Sequence, residues 1–107
     1  MKINICYAEI EPPHSEIKAL EGPTVLEFGA PWCSYCRALQ LLLSTAFEPH
    51  FNVRHIKIED GKGRPLGRSY RITLWPTLVF LKDGREVARL VRPADSALIS
   101  EALAKIL

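Results

Sequence analysis

The feature that most restricts the fold is a pair of cysteines placed between a strand-like segment and a helix-like segment. The run 24–29 is mostly β-branched, aliphatic and aromatic, whereas the run 37–47 has the apolar spacing of a helix. Cys33 and Cys36 stand at the junction, so a helix that begins near Cys33 brings both sulfur atoms to one side of its first turn. The partial positive charge at a helix N-terminus stabilises a thiolate there. The junction therefore predicts a site of thiol–disulfide exchange.

Length and composition favour a single domain over residues 1–107. The chain has 107 residues and 48% hydrophobic residues, enough for one core. A formal charge of +2 is too small to indicate a nucleic-acid or membrane partner, and no apolar run has transmembrane length. The first residues lack the apolar segment of a secretory signal, so we expect a cytoplasmic protein. We also expect it to be a monomer.

The cysteine content argues against a disulfide-stapled secreted domain. Three cysteines are too few for such a framework, and in a reducing compartment a close pair is more often catalytic or a pair of metal ligands. The third, Cys6, lies in an alternating segment within residues 1–10 that is compatible with a short strand. We interpret Cys6 as a small packing residue, because nothing near it in the sequence activates a thiol.

Glu27 is an acidic residue inside an otherwise apolar strand. A strand that is apolar on both faces is typical of the centre of a sheet, where an unpaired carboxylate is unfavourable. Two interpretations are open: the side chain reaches a wet edge of the sheet, or it is a buried proton acceptor near the cysteines.

The helix after the cysteines has a clear apolar face, and the segments beyond it alternate between strand and helix patterns. Its predicted buried residues are Cys36, Leu39, Leu43 and Ala46, with Leu41 and Leu42 widening the apolar surface. The other predicted elements are a helix over 16–20 capped by Ser15, a strand over 51–58, a short helix opened by Pro65, a hairpin of 77–82 and 85–91 turning at Asp83-Gly84, and a last helix capped by Asp95. This order predicts an α/β domain with a mixed sheet and a parallel strand–helix–strand unit.

At this point the residues resemble the thioredoxin family. The strand 25–28 leads into Ala30-Pro31-Trp32-Cys33-Ser34-Tyr35-Cys36, and Trp75-Pro76-Thr77 and the hairpin 78–84 follow in the expected order. A lone C-x-x-C is a weak signal, but the tryptophan before it and the Pro-Thr strand after it make it specific. The resemblance covers about residues 20–107 and implies a thioredoxin-like fold: a central mixed sheet of four or five strands, flanked by helices.

The resemblance also implies a role for each residue of the site. Cys33 would be the exposed nucleophile and Cys36 the shielded resolving thiol. Glu27 would take the place of the family's buried aspartate and exchange the proton of the resolving thiol. Pro76 would be cis and would line the substrate groove. The implied substrate contacts are Trp32, Ser34, Tyr35, Trp75, Pro76 and Thr77.

The implied activity is that of a protein disulfide oxidoreductase. It needs no cofactor and no metal, because the redox pair is in the chain. Its partners would be protein disulfides, with a reductase or another dithiol as the electron donor. Ser34-Tyr35 replaces the usual Gly-Pro, Trp75 precedes Pro76, and Arg92-Pro93 stands near a glycine of ordinary thioredoxins, so we expect a groove shaped for particular partners.

Three alternatives belong to other classes. Glutaredoxins share C-x-Y-C and a cis proline, but the Gly-Gly glutathione site after the proline is absent here. A zinc or iron–sulfur site would need further ligands, and the spare candidates, His50 and His55, are each more often surface histidines. A binding module could use Trp32, Trp75 and the basic run 62–71 as a docking surface.

Overall fold

The computed structural model describes residues 6–50 and 52–107, which form a four-stranded mixed sheet with helices packed on both faces. Its elements are α1 (His14–Lys18), β1 (Pro23–Gly29), α2 (Ser34–Phe47), β2 (Arg54–Glu59), α3 (Pro65–Ser69), β3 (Thr77–Lys82), β4 (Arg85–Val91) and α4 (Ser96–Ala104). The strand order is β2-β1-β3-β4, in which β1 runs parallel to β2 and antiparallel to β3. The predicted mixed sheet, parallel unit and hairpin are therefore confirmed. The strand predicted within residues 1–10 lies partly outside the described residues, and residues 6–10 form none.

Two apolar layers cover the faces of the sheet, because successive side chains of a strand point to opposite sides. Val25 faces α2 and α4, where Leu43, Phe80 and Leu103 are also fully buried. Leu26 and Phe28 face the other way, in a cluster that includes buried residues of α1 and α3. Glu27 is two residues after Val25, so its side chain points to the same face of the sheet. That face is the one covered by α2, the helix that begins at the cysteines.

The helix boundaries test the capping predictions. Asp95 caps α4 by accepting a hydrogen bond from the Leu98 N–H at 3.0 Å, as predicted. The cap predicted at Ser15 is wrong, since α1 begins at His14, two residues before the predicted start, and Pro13 is its N-cap. In α2 the four predicted core residues are buried, but Leu41 is 79% exposed and does not widen the apolar face. None of the helices within residues 6–50 and 52–107 is long and apolar enough to cross a membrane.

The hairpin ends the sheet with an irregular outer strand. Asp83 and Gly84 have φ values of 51° and 78°, the positive pair that a tight type I′ turn requires. Phe80 pairs with Ala88 but Leu81 pairs with Glu86, so Val87 is the extra residue of a bulge in β4. Among the described residues β4 pairs on one side alone, and this strand forms the edge of the sheet opposite β2.

Candidate active site

The two cysteines meet at the N-terminus of α2. Cys33 is the N-cap, and its Sγ accepts a hydrogen bond from the backbone N–H of Cys36 at 3.3 Å. Both are free thiols, and the Cys36 side chain is also hydrogen-bonded to Cys33. Cys33 is 7% exposed and Cys36 is 2% exposed. The expectation of an exposed Cys33 is therefore wrong, because Cys33 lies in a buried cluster with Ala30 and Cys36, and Trp75 packs against that cluster. Cys33 nevertheless has the larger accessible fraction of the two cysteines.

Cys36 is held as a neutral thiol. Burial is the main cause that raises the pKa of Cys36, to about 12, and the hydrogen bond with Cys33 acts in the same direction. The nearby Cys33 and Glu27 add smaller unfavourable charge interactions, against a favourable backbone hydrogen bond from Ala30. Burial likewise raises the pKa of Tyr7, whose hydroxyl is hydrogen-bonded to Cys36. Cys36 therefore needs a proton acceptor before it can attack a disulfide.

This raised pKa makes the stability of the reduced protein depend on pH. The pKa of Cys36 is higher in the folded chain than the unfolded value of about 8.5, so its stabilising contribution is complete below that pH and is lost as pH rises toward about 12. We expect the free energy of unfolding in urea to fall between about pH 8.5 and 10, by at most about 1.4 kcal/mol per pH unit. Cys36→Ala should lack this component of the slope. An identical slope in that variant would contradict the assignment.

Gly29 leaves the space that the Cys36 sulfur occupies. A Cβ at Gly29 would lie 2.6 Å from Cys36 Sγ and 3.1 Å from Tyr7 Oη. Since Gly29 has no left-handed backbone angle, the restriction is space alone. We expect Gly29→Ala to displace the Cys36 sulfur and prolong the lifetime of a mixed disulfide at Cys33 by about tenfold or more. Quenched-flow trapping with mass spectrometry measures that lifetime, and an unchanged value would contradict the prediction.

The acid of β1 lies at the centre of a buried polar cluster. Glu27 is 0% exposed, and one carboxylate oxygen lies 2.8 Å from His55 Nε2. The other accepts from Gln40 Nε2 at 2.9 Å and lies 4.0 Å from Lys57 Nζ. Gln40 Nε2 also donates to the carbonyl oxygen of Cys36 at 2.8 Å, which links the cluster to the first turn of α2. The wet-edge interpretation of Glu27 is therefore wrong, and so is the surface interpretation of His55, which is 7% exposed.

The loop before β3 forms the opposite wall of the site. The Trp75–Pro76 peptide bond is cis, as the resemblance implied, and Pro76 is buried. Trp75 packs on the cysteines, and its indole N–H donates to Asp60 Oδ2 at 2.8 Å. Trp32 is 71% exposed and meets Trp75 edge to face, with ring centres 5.4 Å apart. Thr77 is 1% exposed and its hydroxyl donates to a carbonyl of the same loop, so its side chain supports the loop.

Two cavities border α2. A groove of about 190 Å³ is lined by Tyr35, Pro76 and Arg92 with neighbouring apolar side chains, and Tyr35 is 58% exposed. A larger cavity of about 450 Å³ has Cys36, Gln40, Lys57, Tyr7 and Cys6 in its lining. Cys6 is exposed there, so its interpretation as a packing residue is wrong.

The basic run 62–71 was the other surface that the sequence suggested. Lys62, Arg68 and Arg71 of the basic run are exposed, and Arg64 lies 3.9 Å from Glu59. Within the described parts of the chain, no three His, Cys, Asp or Glu side chains are grouped so that they could hold a metal ion.

The sequence did not predict that His55, Lys57, Gln40 and Asp60 belong to the site. A local pattern involves only the first two. His55 and Lys57 alternate with Ile56 and Ile58 along β2, so the period of two places both polar residues on the face of Val53. That alternation places the two polar side chains together on one face of β2, but it does not show that this face is covered. Gln40 and Asp60 carry no comparable signal, because their partners, Glu27 and Trp75, are distant in sequence.

Comparison with known proteins decides the family. The family model described as Thioredoxin matches residues 9–105. The chain belongs to the thioredoxin family. Thioredoxins are dithiol–disulfide oxidoreductases that use their own cysteines and no cofactor, and this thioredoxin domain contains the paired cysteines and the cis proline of that class.

Individual relatives agree with this family. The reduced form of thioredoxin 2 from Pseudomonas aeruginosa PAO1 is 47% identical, with a TM-score of 0.86 over 97% of this chain and 96% of that one. Thioredoxin of Chlamydia pneumoniae is 34% identical over 78% of this chain and 82% of its own length. The TPR repeat-containing thioredoxin TDX of Arabidopsis thaliana is 30% identical over 92% of this chain, which spans only 26% of that protein.

Proposed function

We propose that this thioredoxin-family protein is a protein disulfide oxidoreductase in which Cys33 attacks the substrate and Cys36 resolves the intermediate. The observation that carries the proposal is the hydrogen bond from the Cys36 N–H to Cys33 Sγ at the N-cap of α2. This donor and the positive end of the helix stabilise the Cys33 thiolate, which is the attacking form. Cys33 is also the more accessible sulfur of the two.

The exchange proceeds in two balanced steps. The Cys33 thiolate attacks one sulfur of a substrate disulfide, forms a mixed disulfide and releases the other sulfur as a thiol after protonation. Cys36 then loses its proton and attacks Cys33 Sγ, which releases the second substrate thiol and leaves a Cys33–Cys36 disulfide. Two electrons pass from the dithiol to the substrate. A reductase or another dithiol returns them.

Glu27 is the proposed acceptor of the Cys36 proton. It is buried near enough to Cys36 for its charge to raise the pKa of that thiol, and Gln40 connects the two residues by hydrogen bonds. Gln40 also lines the cavity of about 450 Å³ that borders Cys36, which is large enough to hold water. Water in that cavity would carry the proton between the thiol and the carboxylate cluster.

The substrate segment is proposed to lie across the groove between the start of α2 and the cis-proline loop. The exposed side chains of Trp32, Ser34 and Tyr35 form one side of this site, and Trp75 and Pro76 form the other. Thr77 would contribute through its backbone, because its side chain is engaged within the loop.

We further propose that the protein acts as a monomer in the cytoplasm. A reducing compartment suits the exposed free thiol of Cys6. Size-exclusion chromatography measures the oligomeric state, and cell fractionation measures the location.

A trapping experiment tests the assignment of the two thiols. Cys36→Ser should accumulate a covalent adduct between Cys33 and a chain of insulin, because the resolving thiol is missing, and mass spectrometry identifies the bridge. The wild type should accumulate none and should reduce insulin with dithiothreitol as donor. Adduct formation through Cys6, or full turnover by Cys36→Ser, would contradict the mechanism. A partner that binds equally well to the double serine variant of Cys33 and Cys36 would favour the binding-module alternative.

A further inference from the structure

Arg92 places a positive charge at the groove of about 190 Å³ that Tyr35 of α2 and Pro76 of the cis-proline loop also line. Its Nε donates to the carbonyl oxygen of Trp75 at 2.7 Å, and its guanidinium carbon lies 4.1 Å from the centre of the Tyr35 ring. The backbone N–H of Arg92 also donates to the carbonyl oxygen of Pro76 at 3.0 Å. Arg92 therefore connects the end of β4 to both walls of the groove. Because these contacts already hold the guanidinium, little ordering remains when a substrate binds.

This charge has no carboxylate partner within residues 6–50 and 52–107, where the ion pairs involve other cations. A guanidinium has five N–H donors, and the bond to Trp75 uses one of them. Two acidic residues of this region are engaged elsewhere: Asp95 caps α4, and Asp60 accepts from the Trp75 indole. Arg92 is exposed, so its other donors are available to a molecule in the groove.

The surroundings of Arg92 favour one kind of occupant. The described residues that line the groove of about 190 Å³ are otherwise uncharged, mainly aliphatic side chains, prolines and a tyrosine. An apolar groove with one positively charged side chain is complementary to an extended segment that carries a carboxylate at one position. A guanidinium pairs with a carboxylate through two parallel hydrogen bonds, and it repels a lysine or arginine at the same place.

We propose that Arg92 is a specificity-determining residue that selects disulfide substrates with an aspartate or glutamate next to the reacting cysteine. This inference rests on the proposed disulfide exchange at Cys33 and names the substrate class for the same groove. The Coulomb interaction and the bidentate hydrogen bonds act before the sulfur atoms exchange, so they change substrate capture and leave the exchange chemistry unaltered.

The test uses three matched peptide disulfides that carry glutamate, glutamine or lysine beside the reacting cysteine. The pre-reduced full chain is mixed with each peptide near pH 7, and the single-turnover oxidation rate is followed, so that no electron donor is needed. We expect the glutamate peptide to react about three- to tenfold faster than the lysine peptide, with glutamine between them. The difference should shrink in about 1 M salt, where the Debye length is about 3 Å.

Three variants separate recognition of charge from support of the groove. Arg92→Gln should abolish the difference in rate between the glutamate and glutamine peptides, and Arg92→Lys should retain part of that difference. Arg71→Gln is the matched control: it removes one exposed arginine that also has a positive φ, 56° against 49° for Arg92. This control should keep the wild-type order of the peptides.

The possible failures are distinguishable. Equal rates for all peptides with the wild type, or a glutamate preference that survives Arg92→Gln, would overturn the role of Arg92 and leave disulfide exchange standing. An equal loss with every peptide in Arg92→Gln would overturn it as well, since Arg92 would then only shape the groove. If the wild type reduces none of the peptides, the proposed exchange at Cys33 is itself contradicted.

Discussion

Cys33→Ser should reduce the rate of insulin reduction to the uncatalysed background, a loss on the order of 10³-fold or more. Serine is similar in size to cysteine, but its hydroxyl is not ionised at neutral pH and cannot form a disulfide. Its oxygen can still accept the Cys36 N–H bond at the N-cap of α2, so the helix should remain folded. The measurement is turnover with dithiothreitol as donor, together with far-ultraviolet circular dichroism to confirm the fold.

Cys6→Ser is the matched control for this loss. Cys6 is exposed and lies outside the buried cluster of Cys33, Cys36 and Ala30, so this variant should keep its rate within about twofold of wild type. A Cys33→Ser protein that retains a tenth of the wild-type rate or more, or a Cys6→Ser protein that loses it, would contradict the assignment of Cys33 as the nucleophile.

Glu27→Ala should destabilise the reduced protein by about 3–5 kcal/mol. The substitution removes the carboxylate from between His55 and Gln40, with oxygen–nitrogen distances of 2.8 Å and 2.9 Å, and leaves the buried ammonium of Lys57 without its counter-charge. Loss of one partner from a buried charged cluster is much more harmful than replacement of the whole cluster by apolar residues. The free energy of unfolding in urea measures the effect.

Two further variants show whether the loss of stability comes from removal of the buried carboxylate of Glu27. Glu101→Ala removes an exposed carboxylate of α4 and should change the stability by less than about 0.5 kcal/mol. Glu27→Gln keeps the shape of the side chain, so it should destabilise less than Glu27→Ala, but it cannot accept the Cys36 proton and should prolong the mixed disulfide in the trapping assay. A Glu27→Ala protein as stable as wild type would mean that the carboxylate makes no net contribution to the buried cluster.

Local patterns were sufficient to predict most of the fold. The turn at Asp83-Gly84, the cap at Asp95 and the buried face of α2 each depend on residues close together in sequence, and each is confirmed. The cis state of Pro76 came from the family resemblance, because no local pattern distinguishes it. Leu41 shows the limit of periodicity: an apolar residue beside an apolar stripe is not necessarily covered, and this side chain is 79% exposed.

The details of the site depended on contacts between distant segments. Cys33 is buried because Trp75, far along the chain, packs on the start of α2. His55 is buried because the parallel pairing of β1 and β2 brings it beside Glu27, and a single histidine in a strand pattern does not reveal that pairing. Arg92 is the clearest case, since its contacts with Tyr35 and Trp75 join three separate parts of the sequence.

The irregular outer strand has a consequence for solubility. The bulge at Val87 twists β4, and Glu86 and Arg89 form an ion pair across it with a shortest distance of 2.6 Å. A second polypeptide that approached this edge would meet a bent ladder of backbone groups and a charged pair that it would have to desolvate. The protein therefore carries its own protection against strand-to-strand aggregation on the side of the sheet farthest from β2.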